Sequence, residues 1–252
     1  MDLINKTKLE KNILHWYPVK QDSSVLQIGN IPIELIKELC TKFQKVTLIV
    51  DEERQKQEIL ESIEKTNNLD VQVSEQLNLY CENQYDYISL IGTLETYTHF
   101  GDITIYKKLE NLLDYAKKCC KESGKILLVI NNKFGMKSWT TLKADKNIIC
   151  NQAYSLSKSL IDKLLKEKNL NEYKYYYVLP DYRVTNVIFT DEYLPNLESI
   201  NRNFLYGEEE FENFNQTEAY IELLKENPQS FKFFANSFFV EIAKNRIEEN
   251  RN

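Results

Sequence analysis

The chain has 252 residues, a net charge of −6 and 42% apolar residues, enough for one sizeable core, so a single α/β domain over 1–252 with one insertion is expected rather than two domains. Lysines alternate with acids instead of clustering, which argues against a nucleic-acid partner and favours a small or uncharged substrate. The polar start Met1–Lys11, the lack of any apolar run of membrane-spanning length, and five cysteines (Cys40, Cys81, Cys119, Cys120, Cys150) with no C-x-x-C pair point to a reducing, cytoplasmic setting and argue against a disulfide frame or a zinc site.

In chain order, a leading helix over 8–16 stops near Pro18. Val25-Leu26-Gln27-Ile28 reads as a strand ending at Gly29. A helix from about Pro32 to Phe43 and a strand Val46–Val50 complete a βαβ unit, the kind that holds a nucleotide at a helix N-terminus. A charged helix over 51–65 and a short strand Val71–Val73 follow. Tyr85–Ile91 is apolar enough for a central strand buried on both faces, and it ends at Gly92. Leu109, Leu112, Leu113 and Ala116 mark a helix over Ile103–Lys121, closed by Ser123-Gly124 as a C-cap. Then come a strand Lys125–Ile130, a helix Ser155–Lys168 with Ser155 or Ser157 as N-cap, and a tyrosine-rich strand Glu172–Leu179. Residues 180–230 form an irregular insertion holding one short helix, Thr217–Lys225, before a last strand Phe233–Ala243. Such alternation predicts an α/β fold with a mainly parallel sheet and helices on both faces.

Several segments together resemble a known family: Lys11–Tyr17, Val25–Gly29, Tyr85–Glu95, Gly124–Trp139, Pro180–Tyr182, Asp191–Pro195 and Asn236–Phe238. They look like a class I S-adenosylmethionine-dependent methyltransferase of the type found in bacterial surface-polysaccharide pathways. The likeness covers nearly the whole chain, and its most specific parts are Asn132–Trp139 and Asp191–Pro195. It implies a Rossmann-like, seven-stranded sheet with a terminal antiparallel hairpin, Glu172–Leu179 beside Phe233–Ala243. It also implies S-adenosylmethionine as cofactor, with Gly29, Asp51, Asn78 and Gly92 as the cofactor-binding positions.

The chain departs from the family pattern at the turn. The acid expected two residues before the first glycine is Gln27, and two further glycines are replaced by Ile31 and Ile33. The ribose-clasping acid falls on Val50 by ungapped counting, and a one-residue shift restores it through Asp51; a carboxylate is needed because it accepts two hydroxyl hydrogen bonds at once. The position facing the adenine amine is Asn78, whose carbonyl can accept. If each isoleucine intrudes as an overpacked residue does, at roughly 1–3 kcal/mol, donor affinity falls by about one to four powers of ten. The alternative is a loop displaced outward, since Asn30 and Pro32 are turn formers.

Candidate chemistry lies beyond the strands. His99 is a candidate base, or a solvated loop histidine; Glu95 is a candidate base, an acceptor-orienting group, or a carboxylate favoured at a helix start. Asn131 stands where the family usually carries an acid. Trp139 and the set Tyr173, Tyr175, Tyr176, Tyr177 and Tyr182 suit either sugar stacking or core packing. Asp181, Tyr182, Asp191, Glu192 and Tyr193 form either an acceptor wall or the hydrogen bonds that fix the insertion. Motifs for serine hydrolases, nucleoside-triphosphate loops and zinc proteases are absent. So is the Asn/Asp-Pro-Pro-aromatic signature of amino-group methyltransferases. The expectation is O-methylation of a sugar or glycan hydroxyl in surface-glycan assembly. The alternative is a catalytically silent module that docks a glycosyltransferase or a related pathway enzyme.

Overall fold

The computed structural model describes residues 9–63, 66–74, 81–99, 103–140, 154–196, 198–199 and 216–245. Its strands are β1 (Ser24–Ile28), β2 (Lys45–Val50), β3 (Leu69–Val73), β4 (Tyr85–Ile91), β5 (Cys120–Asn131), β6 (Tyr173–Leu179), β7 (Val187–Thr190) and β8 (Ser237–Ala243). They form one sheet in the order β3-β2-β1-β4-β5-β8-β6-β7. β1 pairs in parallel with β2 and with β4, and β2 in parallel with β3. The carboxyl ends of these four strands, at Ile28, Val50, Val73 and Ile91, therefore share one edge. β6 and β7 close the sheet as an antiparallel pair. This is the expected α/β, Rossmann-like methyltransferase architecture, with eight strands where seven were expected.

The helices are α1 (Asn12–His15), α2 (Ile33–Lys42), α3 (Glu53–Ser62), α4 (Thr93–Thr96), α5 (Ile105–Cys119), α6 (Met136–Thr140), α7 (Lys158–Glu167), α8 (Gln216–Glu226) and α9 (Phe231–Phe234). Their starts follow local chemistry. The Thr104 side chain accepts from the Lys107 amide ahead of α5, and Ser157, one of the two expected caps, accepts from the Leu160 amide ahead of α7. Thr104 satisfies an amide of the first turn in this way, while the Leu160 amide is shared between the Ser157 hydroxyl and the Ser157 carbonyl.

The chain divides into two compact units. One comprises Leu14–Leu128, Asp162–Lys174 and Val240–Asn252. Here Val25, Leu26 and Ile28 of β1, Val46 and Leu48 of β2, Ile88 of β4 and Leu109 and Leu112 of α5 are buried. The other unit comprises Met1–Ile13, Val129–Ile161 and Tyr175–Phe239, and its core is aromatic. Tyr175 and Tyr177 stack 6.2 Å apart, Phe238 meets both edge-on, and Phe231 packs on Tyr177, Phe189 and Tyr220. Along β6, buried Tyr175 and Tyr177 alternate with exposed Lys174 and half-buried Tyr176. The tyrosine run thus serves packing, and Tyr175, Tyr177 and Tyr182 are too buried to stack on a sugar.

Several expectations are corrected. Ser123-Gly124 is no helix cap: α5 ends at Cys119 and β5 runs through both residues. A Cβ on Gly124 would lie 2.6 Å from the Cys120 sulfur and 2.8 Å from the Asp86 carbonyl oxygen, so crowding within the sheet demands the glycine. The insertion contains a strand, β7, whose Phe189 lies opposite Tyr177. The expected strand start at Phe233 is helical through Phe234, because Asn227 caps a turn opened by Pro228 and the chain continues into α9. Cys81 and Cys119 form a disulfide, with Cα atoms 4.8 Å apart, against the expectation of reduced thiols only. Such a link typically contributes about 2–4 kcal/mol. Among the described residues no helix is long and apolar enough to cross a membrane, and no group of His, Cys, Asp and Glu is placed to hold a metal ion.

Candidate functional site

At the end of β1, Gly29 has φ +87°, a left-handed conformation that glycine adopts without steric cost. A Cβ there would lie 2.6 Å from Thr96 Oγ1 and 3.3 Å from Thr93 Cα, so the space the glycine vacates is filled by α4. Gly92, with φ +65°, turns the chain from β4 into that short helix. Gln27 is fully buried. Its amide nitrogen donates to the carbonyls of Ile28 (2.7 Å) and Ile91 (3.2 Å), and its side-chain oxygen accepts from Ser89. A carboxylate could not donate to those carbonyls. Gln27 therefore ties β1 to β4, in place of the acid expected there. Ile31 is buried and Ile33 half-buried at the start of α2.

Asp51, the first residue after β2, is 5% exposed. Its Oδ2 accepts from both the backbone amide and the hydroxyl of Thr98, each at 2.7 Å. Its Oδ1 is buried with no hydrogen-bond partner among the described residues. Leaving a buried acceptor unpaired costs about 1–3 kcal/mol, and more when it is charged. The ring of Tyr97 is buried beside this carboxylate, and its hydroxyl donates to the Ser74 carbonyl at 3.1 Å. Burial, then the Asp51 charge and the neighbouring Tyr115, push the Tyr97 phenol up, so it stays a protonated donor. Thr93 donates to the Ile28 carbonyl at 2.6 Å, and His99 Nε2 lies 3.4 Å from the Asp51 carbonyl oxygen. The stretch Thr93–His99 is thus bonded to the ends of β1, β2 and β3.

Of the residues expected in the site, Gly29, Asp51, Gly92 and His99 meet at this edge. Glu95 lies half-buried on α4, and His99 is exposed. Asn78 lies outside the described residues. Thr93, Thr96 and Thr98 escaped the sequence reading, although three threonines within six positions after a central strand are a legible sign of hydroxyl donors at a carboxyl edge.

The other unit carries its own polar cluster. Asp181 is 1% exposed and paired with Lys137 and with Arg183, whose Nε and Nη2 lie 3.0 and 3.1 Å from its oxygens. Burial opposes its ionisation, yet the two cations outweigh burial and hold its carboxyl well below the usual range. Lys137 also donates to Asn131 Oδ1 at 2.5 Å, and Ser237 donates to the same oxygen at 2.9 Å. The acid absent at Asn131 is therefore matched by Asp181, delivered from the insertion. Asp191 accepts from Tyr177 and pairs with Lys232. Both acids act as the bonds that fix an irregular segment. The side chain of Trp139 lies outside the description.

The Asp51 carboxylate matches the implied cofactor in chemical type, since a carboxylate accepts from ribose hydroxyls; in this structure Thr98 holds one of its oxygens and α4 fills the space above Gly29.

No protein-family model matches the sequence, and no characterised protein matches it. Solved structures do. A chain from the complex of the Haloferax volcanii Trm112 methyltransferase activator with a methyltransferase is 10% identical, with TM-score 0.57, covering 96% of this chain and 91% of that one. A SAM-dependent methyltransferase from Thermotoga maritima is 13% identical with TM-score 0.53, covering 96% and 88%. One from Archaeoglobus fulgidus is 14% identical with TM-score 0.53, covering 95% and 92%. With the sheet order and the strand-end residues above, these matches establish that the chain has the fold of the class I S-adenosylmethionine-dependent methyltransferases.

Proposed function

We propose that the chain is a SAM-dependent methyltransferase whose donor is held by Gly29, Asp51 and Gly92, with Asn78 accepting from the adenine amine. The single observation that carries this reading is the buried Asp51 oxygen at the end of β2 that has no partner among the described residues, the strand end where a ribose clasp belongs. Bound S-adenosylmethionine supplies an electrophilic methyl group. Glu95 and His99, on the segment after β4, orient the acceptor and take its proton. The acceptor is a sugar or glycan hydroxyl of a surface-glycan pathway. That assignment draws on the resemblance at Asn132–Trp139 and Asp191–Pro195 and on the absence of an amino-group signature. Titration calorimetry with S-adenosylhomocysteine tests the cofactor: binding tighter than about 100 μM, near −5.5 kcal/mol, supports it, and an absence of heat removes it. Transfer of labelled methyl groups to glycan precursors tests the acceptor.

A second reading is a silent docking module for a glycosyltransferase or another pathway enzyme. It is favoured by Ile31 and Ile33 at the turn and by the engagement of Asp51 with Thr98. In the Haloferax structure a methyltransferase is complexed with an activator protein, which gives a partner-bound state of this fold a precedent. Ile33→Gly separates the readings: a gain in S-adenosylhomocysteine affinity marks a narrowed donor site, whereas no binding in either form favours the module.

A further inference from the structure

Both oxygens of Asp51 are withheld from a ligand in this structure. Thr98 takes Oδ2 with two donors at 2.7 Å, and Oδ1 is buried without a partner among the described residues. The same segment fills the space above Gly29 through Thr96 and Thr93 and is held on β1 and β3 by the Thr93 and Tyr97 hydroxyls. A hydroxyl and an amide on one carboxylate oxygen present the same kind of donors that a ribose hydroxyl would.

We propose that Thr93–His99 is a self-occluding strap in which Thr98 competes with the donor's ribose for Asp51, so that the donor binds only as the strap releases the carboxylate. This rests on Asp51 being the ribose clasp, and it adds a gating residue that the cofactor reading does not require. The unpaired oxygen makes the closed state costly to hold, while the bonds to Ile28 and Ser74 keep the strap in place until a ligand offers better donors. Release exchanges protein donors for ligand donors on one carboxylate, and no covalent bond changes.

The test measures S-adenosylhomocysteine affinity by calorimetry in the wild type, Thr98→Val and Thr98→Ser, with thermal melts as the folding control. Removing one hydroxyl bond from the closed state is expected to raise affinity about 3- to 10-fold in Thr98→Val and to leave Thr98→Ser unchanged. Hydrogen exchange gives a second readout: the Thr98 amide, bonded to Asp51 when the strap is closed, should exchange faster at saturating ligand. Unchanged or weaker binding in Thr98→Val, or slower exchange at Thr98, overturns the strap while leaving the cofactor site standing. Absence of saturable binding in every form overturns the cofactor reading and the strap with it.

Discussion

At the scale of single residues, the buried charge of Asp181 sets a clear dependence. Its partners Lys137 and Arg183 hold its folded pKa below the unfolded value of about 3.9. The stabilisation it provides is thus fully present above that value and fades as pH falls towards the folded pKa. Asp181→Asn should cost about 3–5 kcal/mol in urea unfolding at pH 7, because it leaves Lys137 without its carboxylate. The variant should also show a shallower loss of stability below pH 4 than the wild type; an equally steep loss would assign the acid sensitivity to other groups. The cysteines divide just as sharply. Burial, outweighing the nearby Lys244, pushes the Cys120 thiol up to about 12, while Cys40 is half-buried and raised less. Among the described thiols, iodoacetamide at pH 7.5 should modify Cys40 and spare Cys120. Peptide mapping without reductant should recover Cys81 and Cys119 joined; labelling of both in the folded, unreduced protein would contradict the bond.

At the scale of elements, β5 shows how a glycine can mislead. Ser123-Gly124 follows a helix of strong periodicity, and the pair has the composition of a C-cap. The glycine is there because the Asp86 carbonyl and the Cys120 sulfur leave no room for a Cβ. Gly124→Ala should therefore destabilise by about 1–3 kcal/mol; a neutral result in denaturant unfolding would contradict the crowding. Strands β1, β2 and β4 were legible because they are continuous apolar runs ended by a turn residue or a charge. β7 was not, since its four residues lie in a polar insertion and gain their meaning only opposite Tyr176–Leu179 of β6. Gly29 is likewise legible as the end of a strand, whereas Asp51 enters only through the family resemblance and a one-residue shift from Val50. The role of Thr98 depends on a contact 47 residues away in sequence, which no local pattern reveals.

At the scale of the molecule, one parallel arrangement explains why the candidate residues meet. Because β1, β2, β3 and β4 run in the same direction, whatever follows each strand arrives at the same edge: Gly29, Asp51, Ser74 and Gly92. A ligand held there should stabilise the native state by mass action, by about 2.7 kcal/mol at one hundred times its Kd. Melting curves with rising S-adenosylhomocysteine should shift upward accordingly, and a curve insensitive to ligand would speak for the docking module. The most direct test of the central claim compares S-adenosylhomocysteine affinity in the wild type and in Asp51→Asn, each verified as folded by its melt. A loss of at least about tenfold, the worth of one hydrogen bond to a charged group, is predicted for the variant. Equal affinity in both proteins would show that the carboxylate at the end of β2 does not clasp the donor.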